Sequence, residues 1–316
     1  MTLLLALLSA ALAAGRFSPA KDTIAVAESG PWPGQPAAGR FSPQEKPPVF
    51  GVEVEVVRVE VLVTRRGEPV RDLSAENFEL RDNGVRQQLH STTFEEAPVD
   101  ALLVLDLSES VKGSKLDALR EAAGAFLDGL SPVDRAALVG FQQSVVVAVP
   151  ATHAIPSVRF ALDTVEGGGS TALHDAVYVA LRLPEAGPRR SAVVVFSDGM
   201  DNVSWLSGED VVEAAGRSGA VVYAVDAREP GDPDDDFLED VTRATGGRVW
   251  RARKTDDLPA RFLDVLHDIR ARYVLSYTPA GVDTAGWHEL EVELRGRKGD
   301  VLARPAYYRP ASANPR

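Results

Sequence analysis

Three residues at alternate positions, Asp106, Ser108 and Ser110, follow the apolar run ALLVL at 101–105. In extended backbone, side chains two apart share a face, so one carboxylate and two hydroxyls line up while Leu107 and Glu109 point the other way. Two more polar clusters stand in comparable places. GGGSTALHDA at 167–176 carries Thr171 at a predicted helix start, and FSDGMDN at 196–202 places Asp198 just past the apolar run AVVVF. Together they offer two carboxylates and three hydroxyls without His or Cys. Such hard oxygen donors suit Mg²⁺, Mn²⁺ or Ca²⁺ and do not suit Zn²⁺ or copper. With so little ligand charge, the ion is left under-neutralised, with a position open to an anionic oxygen from outside. Taken one at a time, the same residues read as loop caps, a helix N-cap and a turn.

These residues need a scaffold that brings three loops together. From position 99 the apolar runs lose their alternation: ALLVL, AALVGF at 136–141, AVVVF at 192–196 and AVVYAV at 220–225. Uninterrupted apolar strands are covered on both faces, as in a parallel sheet. Helical spacing lies between them, for example at Leu116, Leu119, Ala123, Phe126 and Leu130. Ser114-Lys115-Leu116-Asp117 and Ser207-Gly208-Glu209-Asp210 read as helix starts. SVVVAVP at 144–150 follows its neighbour after a short turn, which predicts an antiparallel edge strand. Alternating strands and helices predict a doubly wound, mostly parallel α/β sheet over 99–270. Such sheets bind ligands beyond the carboxyl ends of their strands, where the three clusters fall.

The flanks have a different pattern. GVEVEVVRVEVLVT at 51–64 alternates with period two, and FELRDNGVRQQL at 78–89 reads as a hairpin turning at Asn83-Gly84. RYVLSYTP, HELEVELRG and DVLARPAYY, between 272 and 308, are further strands. Neither flank is large enough to stand alone comfortably. The expectation is one small all-β sandwich formed from 50–98 and 271–310, with the α/β domain inserted between them.

The apolar start of the chain, with small residues at Ala11 and Ala13, predicts a signal peptide over 1–14 and an exported protein, periplasmic or secreted. Residues 15–49, which repeat AAGRFSP from 13–19 at 37–43, read as a disordered linker, and 311–316 as a disordered tail. No other stretch is long and apolar enough to span a membrane. The net charge of −12 argues against nucleic acid as a partner. The absence of cysteine excludes thiolate chemistry and disulfide stapling.

DLSES after an apolar strand, GGSTALHDA and FSDG, in that order, resemble the von Willebrand factor type A domain and its metal-ion-dependent adhesion site. That resemblance covers about 99–270 and implies Asp106, Ser108, Ser110, Thr171 and Asp198 as metal positions. The flanks, with F-x-L-x-D-N-G and Y-x-L-x-Y-x-P followed by Tyr-Tyr, resemble a bacterial exported subgroup. The family implies a metal-dependent adhesion or assembly module without catalysis, holding Mg²⁺ or Mn²⁺ and binding a protein that presents an Asp or Glu. Two other readings remain: a scaffold of the same fold that works without metal, and a metal-dependent hydrolase. For the last, no G-x-S-x-G, P-loop, H-E-x-x-H or cysteine nucleophile is present, and no base is placed near the serines. Asp201 and Asn202 read as supporting turn residues, Glu109 as solvated, and His174 has no assigned role. The acids Asp232, Asp234, Asp235, Asp236 and Glu239 read as a helix start, because their spacing does not fit a calcium loop.

Overall fold

Strands from both ends of the chain interleave in the two sheets of a sandwich. Its first five strands are β1 (Val57–Arg65), β2 (Glu68–Pro69), β3 (Phe78–Asp82), β4 (Val85–Arg86) and β5 (Leu89–Thr93). The middle of the chain supplies β6 (Val99–Asp106), α1 (Ser114–Asp128), β7 (Arg135–Phe141), β8 (Val145–Thr152), α2 (Ile155–Thr164), α3 (Leu173–Arg182) and β9 (Arg190–Ser197). It continues through α4 (Gly208–Arg217), β10 (Val221–Asp226), α5 (Phe237–Thr245), β11 (Val249–Arg251) and α6 (Leu258–Arg270). The chain then returns to the sandwich as β12 (Arg272–Tyr277), β13 (Gly286–Leu294), β14 (Asp300–Ala303) and β15 (Ala306–Arg309). This computed structural model describes residues 56–94, 97–185, 187, 189–198, 200–228, 236–283 and 285–311, so the expected signal peptide and linker, and the expected tail beyond Ala311, lie outside the described residues.

The middle sheet has the order β11-β10-β9-β6-β7-β8, parallel except for the edge strand β8. Every residue of β6, β9 and β10 is buried. The alternation divides them between two cores. Leu103, Leu105, Val194 and Phe196 pack with Leu119, Phe126 and Phe262 of α1 and α6, while Leu102, Val104, Val193 and Val195 pack with Val177, Val211 and Val241 of α3, α4 and α5. That double burial is why the runs show no polar alternation. The fold is thus a doubly wound α/β domain set into a β-sandwich.

In the sandwich, one sheet runs β14-β1-β12-β5, with β2 paired to β1, and the other runs β15-β13-β3-β4. β1 is antiparallel to β12, with Val59 opposite Leu275, and β3 is antiparallel to β13, with Leu80 opposite Val292. Between the sheets lie Val59, Val61, Val63, Phe78, Leu80, Tyr273, Leu275, Tyr277 and Leu290. The alternation of β1 places Val59, Val61 and Val63 in this core and turns Arg58 and Glu60 away from it. The β3–β4 turn has positive φ at Asn83 and Gly84, as the Asn-Gly pair requires.

Two local expectations need correction. DVLARPAYY is two strands, because the chain crosses from one sheet to the other at Arg304-Pro305. Ser114 does not cap α1: Gly113 holds that position with φ of 57°, a conformation in which a side chain would be strained. Ser207 does cap α4, accepting the N–H of Asp210 at 3.2 Å.

Candidate metal-binding site

β6 and β9 are neighbours in the middle sheet and end at the same edge, so Asp106 and Ser197 finish side by side. Asp106 is fully buried. Its Oδ1 accepts the N–H of Ser108 at 2.9 Å, and its Oδ2 accepts the hydroxyl of Ser197 at 2.7 Å. Burial pushes the Asp106 carboxyl above the usual carboxylate range, and the charge of Asp198 adds to this, while the bonds from Ser108 and Ser197 hold it down. A carboxylate this deep, with only neutral donors on it, is a group that a cation would relieve.

A chain of short contacts leads outward from Asp106. The hydroxyls of Ser108 and Ser110 lie 3.1 Å apart, and Ser110 Oγ donates to Asp198 Oδ1 at 2.7 Å. Lys115, in the first turn of α1, reaches the other oxygen of Asp198 at 2.5 Å. Glu109 stays exposed and pairs with Lys112 at 2.7 Å.

Thr171 arrives on the third loop. The glycine stretch before it runs close to the β6 loop: Glu109 N–H donates to Gly169 O at 2.9 Å, and Gly168 N–H to Leu107 O at 2.7 Å. Gly169 has φ of 88°, and a Cβ there would meet Gln143 Oε1 at 1.8 Å. At that φ a side chain is strained, which is why glycine stands there. Thr171 is buried, and Asn202 holds its backbone from both sides: Thr171 N–H donates to Asn202 Oδ1 at 2.9 Å, and Asn202 N–H donates to Thr171 O at 3.0 Å. Asn202 therefore ties the Thr171 loop to the Asp198 loop. Asp201 accepts from His174 N–H at 3.0 Å and Ser204 N–H at 3.1 Å. His174 packs against Phe237, with ring centroids 4.3 Å apart and the planes tilted by 52°.

The structure thus joins Asp106, Ser108, Ser110 and Asp198 in one run of contacts and brings Thr171 to the same end of the sheet. Sequence reasoning missed Ser197 and Lys115. Ser197 was available as a hydroxyl next to Asp198, whereas the Lys115–Asp198 pair spans 83 positions and leaves no mark in local spacing. Among the described residues, no three His, Cys, Asp or Glu side chains gather as metal ligands. An ion at this site would therefore draw on hydroxyls as well as on the two acids. Of the acidic run, Asp232, Asp234 and Asp235 lie outside the described residues. Asp236 and Glu239 open α5, and Glu239 pairs with Arg251 at 2.6 Å.

Residues 101–200 match the family description of the von Willebrand factor type A domain. Over that stretch the chain is similar to von Willebrand factor type A domains. The fold of a von Willebrand factor type A protein from Catenulispora acidiphila aligns with it at a TM-score of 0.51 and 13% identity, covering 79% of this chain and 76% of that one. A UPF0353 protein of Mycobacterium avium is 24% identical over 233 residues, covering 64% of this chain and 68% of its own length. A UPF0353 protein of Mycolicibacterium paratuberculosis is 26% identical over 188 residues, covering 50% of this chain and 56% of its own length. The chain therefore spans little more than half of some of the curated relatives it matches. The Asp106 and Asp198 loops both fall within the matched stretch of the type A domain.

Proposed function

We propose that the type A domain holds Mg²⁺ or Mn²⁺ through Asp106, Ser108, Ser110, Thr171 and Asp198, and uses it to bind a protein partner through an Asp or Glu carboxylate. The observation that best supports this reading is the run of hydrogen bonds from buried Asp106 through Ser108 and Ser110 to Asp198, two acids and two hydroxyls in one chain of contacts. The donors are hard oxygens, and only two carry charge, so the ion keeps a net positive charge for an incoming anion. Its role is that of a Lewis acid toward the partner's carboxylate, without a bond being broken. The loop that carries Asp198 continues through Met200 and Val203, both partly exposed, to Trp205, which is 96% exposed. An exposed tryptophan beside a charged centre is the composition of an interface anchor.

The sandwich built from 50–98 and 271–310 serves in this reading as the carrier that presents the domain at 99–270. The apolar leader over 1–14 supports action outside the cytoplasm. Among the described residues, no helix is long and apolar enough to cross a membrane.

The ammonium of Lys115 against Asp198 supports a second reading, a scaffold of the same fold that assembles a complex without metal. Thermal unfolding separates the two. The metal reading expects Mg²⁺ or Mn²⁺ at millimolar concentration to raise the melting temperature over EDTA and expects the Asp106→Ala variant to lose that rise. The scaffold reading expects no difference. Capture of a cell-envelope protein in Mg²⁺, with release by EDTA, then tests the partner.

A further inference from the structure

At the far end of the middle sheet from the acids, where β9 begins, a cavity of about 180 Å³ opens along the seam between the sandwich and the α/β layers. Its charged lining is unbalanced for a protein with net charge −12. Arg58 and Glu60 come from β1, Arg189 and Arg190 from the start of β9, and Arg304 from the crossing between β14 and β15. Four guanidinium groups thus face one carboxylate.

The partners of these groups do not close that balance. Arg189 is taken by Asp100. Arg190 is 3% exposed; its Nη1 donates to Ile269 O at 2.7 Å and its Nη2 to Arg272 O at 3.3 Å. Its Nε lies 3.2 Å from Glu60 Oε2, yet neither atom makes an aligned hydrogen bond. Arg304 donates to Ser218 O at 2.6 Å and has no acid paired with it among the described residues. Burial pulls Arg304 below its usual value, with Glu60 alone opposing. Behind the wall, fully buried Arg272 bonds Tyr223 OH and Gly246 O, both at 2.6 Å, and its Nη1 has no partner. The nearby acid Asp268 is engaged by Arg248 at 2.6 and 2.7 Å. Arginine stays protonated at any working pH, so it cannot escape by losing its charge. Buried cations outnumbering their acids are costly, and an anion placed among them removes that cost.

We propose that this seam cavity binds a small oxyanion of the size and charge of inorganic phosphate, held by Arg58, Arg190 and Arg304. The cavity is well above the roughly 10–15 Å³ that a single water requires. Guanidinium groups present forked N–H donors that match phosphate oxygens. Arg58 and Arg304 belong to the sandwich and Arg190 to the α/β domain, so the anion bridges the two. Glu60 remains inside as the countercharge to Arg190 and favours a singly or doubly charged anion over a larger polyanion.

The test titrates the full chain with inorganic phosphate against sodium chloride of matched ionic strength, following the melting temperature and the heat of binding. Saturable stabilisation with one phosphate per chain is expected. Arg304→Met raises the melting temperature in the absence of phosphate, because a half-buried charge with no paired acid is gone, and weakens phosphate binding about tenfold or more. Arg58→Gln, at an exposed position, weakens binding in the same direction and decides the matter should Arg304→Met fail to fold. Asp106→Ala, at the opposite end of the sheet, leaves phosphate binding unchanged. Stabilisation that follows ionic strength alone, or that survives in both arginine variants, overturns the proposal.

Discussion

The ammonium of Lys115 lies 2.5 Å from Oδ2 of Asp198, so one of the two acids at the strand ends already carries a countercharge. An arriving divalent ion must share or displace that cation. Lys115→Met removes the competing charge and keeps an unbranched apolar stem of similar length. Affinity for Mg²⁺ or Mn²⁺ is expected to rise about tenfold, a change of ~1.4 kcal/mol, which is within the Coulomb energy of two charges at this range and partial exposure. Isothermal calorimetry of the two proteins reads it directly. Unchanged or weaker ion binding in the variant would remove Lys115 from any account of the site.

Asp106 gives the opposite sign. It is buried with neutral donors only, and burial raises its carboxyl. A raised folded value means that the group's contribution to stability is present below its unfolded value of about 3.9 and is lost as pH rises through the folded one. At neutral pH the ion-free protein therefore holds an unfavourable charge. Asp106→Asn is expected to leave the ion-free protein as stable as wild type, or more so by up to about 1 kcal/mol, and to abolish stabilisation by Mg²⁺. A variant that unfolds would make Asp106 a structural residue, and one that still responds to Mg²⁺ would move the ion elsewhere.

Asp134 shows how a buried acid behaves when it has partners. It stands just before β7, and its oxygens accept Val99 N–H at 2.8 Å, Ser131 N–H at 2.7 Å and Ser131 Oγ at 2.8 Å, with Arg270 of α6 completing the set. Burial alone would raise this carboxyl, but the bonds from Arg270, Val99 and Ser131 together hold it below the usual range. The sign is the reverse of that at Asp106: stability is present above the unfolded value near 3.9 and is lost as pH falls through the lower folded one. Asp134→Asn is expected to cost about 2 kcal/mol at pH 7, with the deficit shrinking below about pH 4 as wild type loses its advantage. Urea unfolding at pH 7, 5, 4 and 3 gives the profile. A deficit that stays constant across that range would mean the charge on Asp134 contributes nothing.

Strand ends were legible in the sequence because a parallel sheet buried on both faces writes itself as uninterrupted apolar runs, and the first polar residue marks where the run leaves the core. That is how ALLVL followed by Asp106, and AVVVF followed by Ser197-Asp198, pointed to one edge. What joins distant segments left no such trace. Asp82, in the F-x-L-x-D-N-G segment, accepts the hydroxyls of Tyr277 at 2.8 Å and Tyr307 at 2.9 Å and contacts His288 Nδ1 at 2.7 Å. These partners stand 195, 225 and 206 positions away. The flank motifs were visible as letters, but their meeting in one buried knot depends on sheet pairing, which no local period encodes. β11, at three residues, was too short to show a period, and the seam arginines come from three separate segments, around 58, 189–190 and 304, that no local period links.

Trp205 supplies the last test, because it separates partner binding from ion binding. Its ring is 96% exposed, while its backbone N–H is fixed to Asp175 Oδ2 at 3.1 Å, so the loop beneath it is held and the side chain is free. Leu206 N–H donates to the same carboxylate at 3.1 Å, which anchors the next residue as well. Truncation to alanine should therefore leave fold and ion affinity unchanged. A tryptophan at an interface centre typically accounts for about 2 kcal/mol or more on truncation, so capture of the partner in Mg²⁺ should fall by roughly thirtyfold. The measurement is quantitative capture of EDTA-releasable envelope protein by immobilised wild type, Trp205→Ala and Asp106→Asn in parallel. Loss in both variants, with calorimetry showing that only Asp106→Asn has lost the ion, is the expected pattern. Equal capture by Trp205→Ala and wild type would place the partner on another face of the domain.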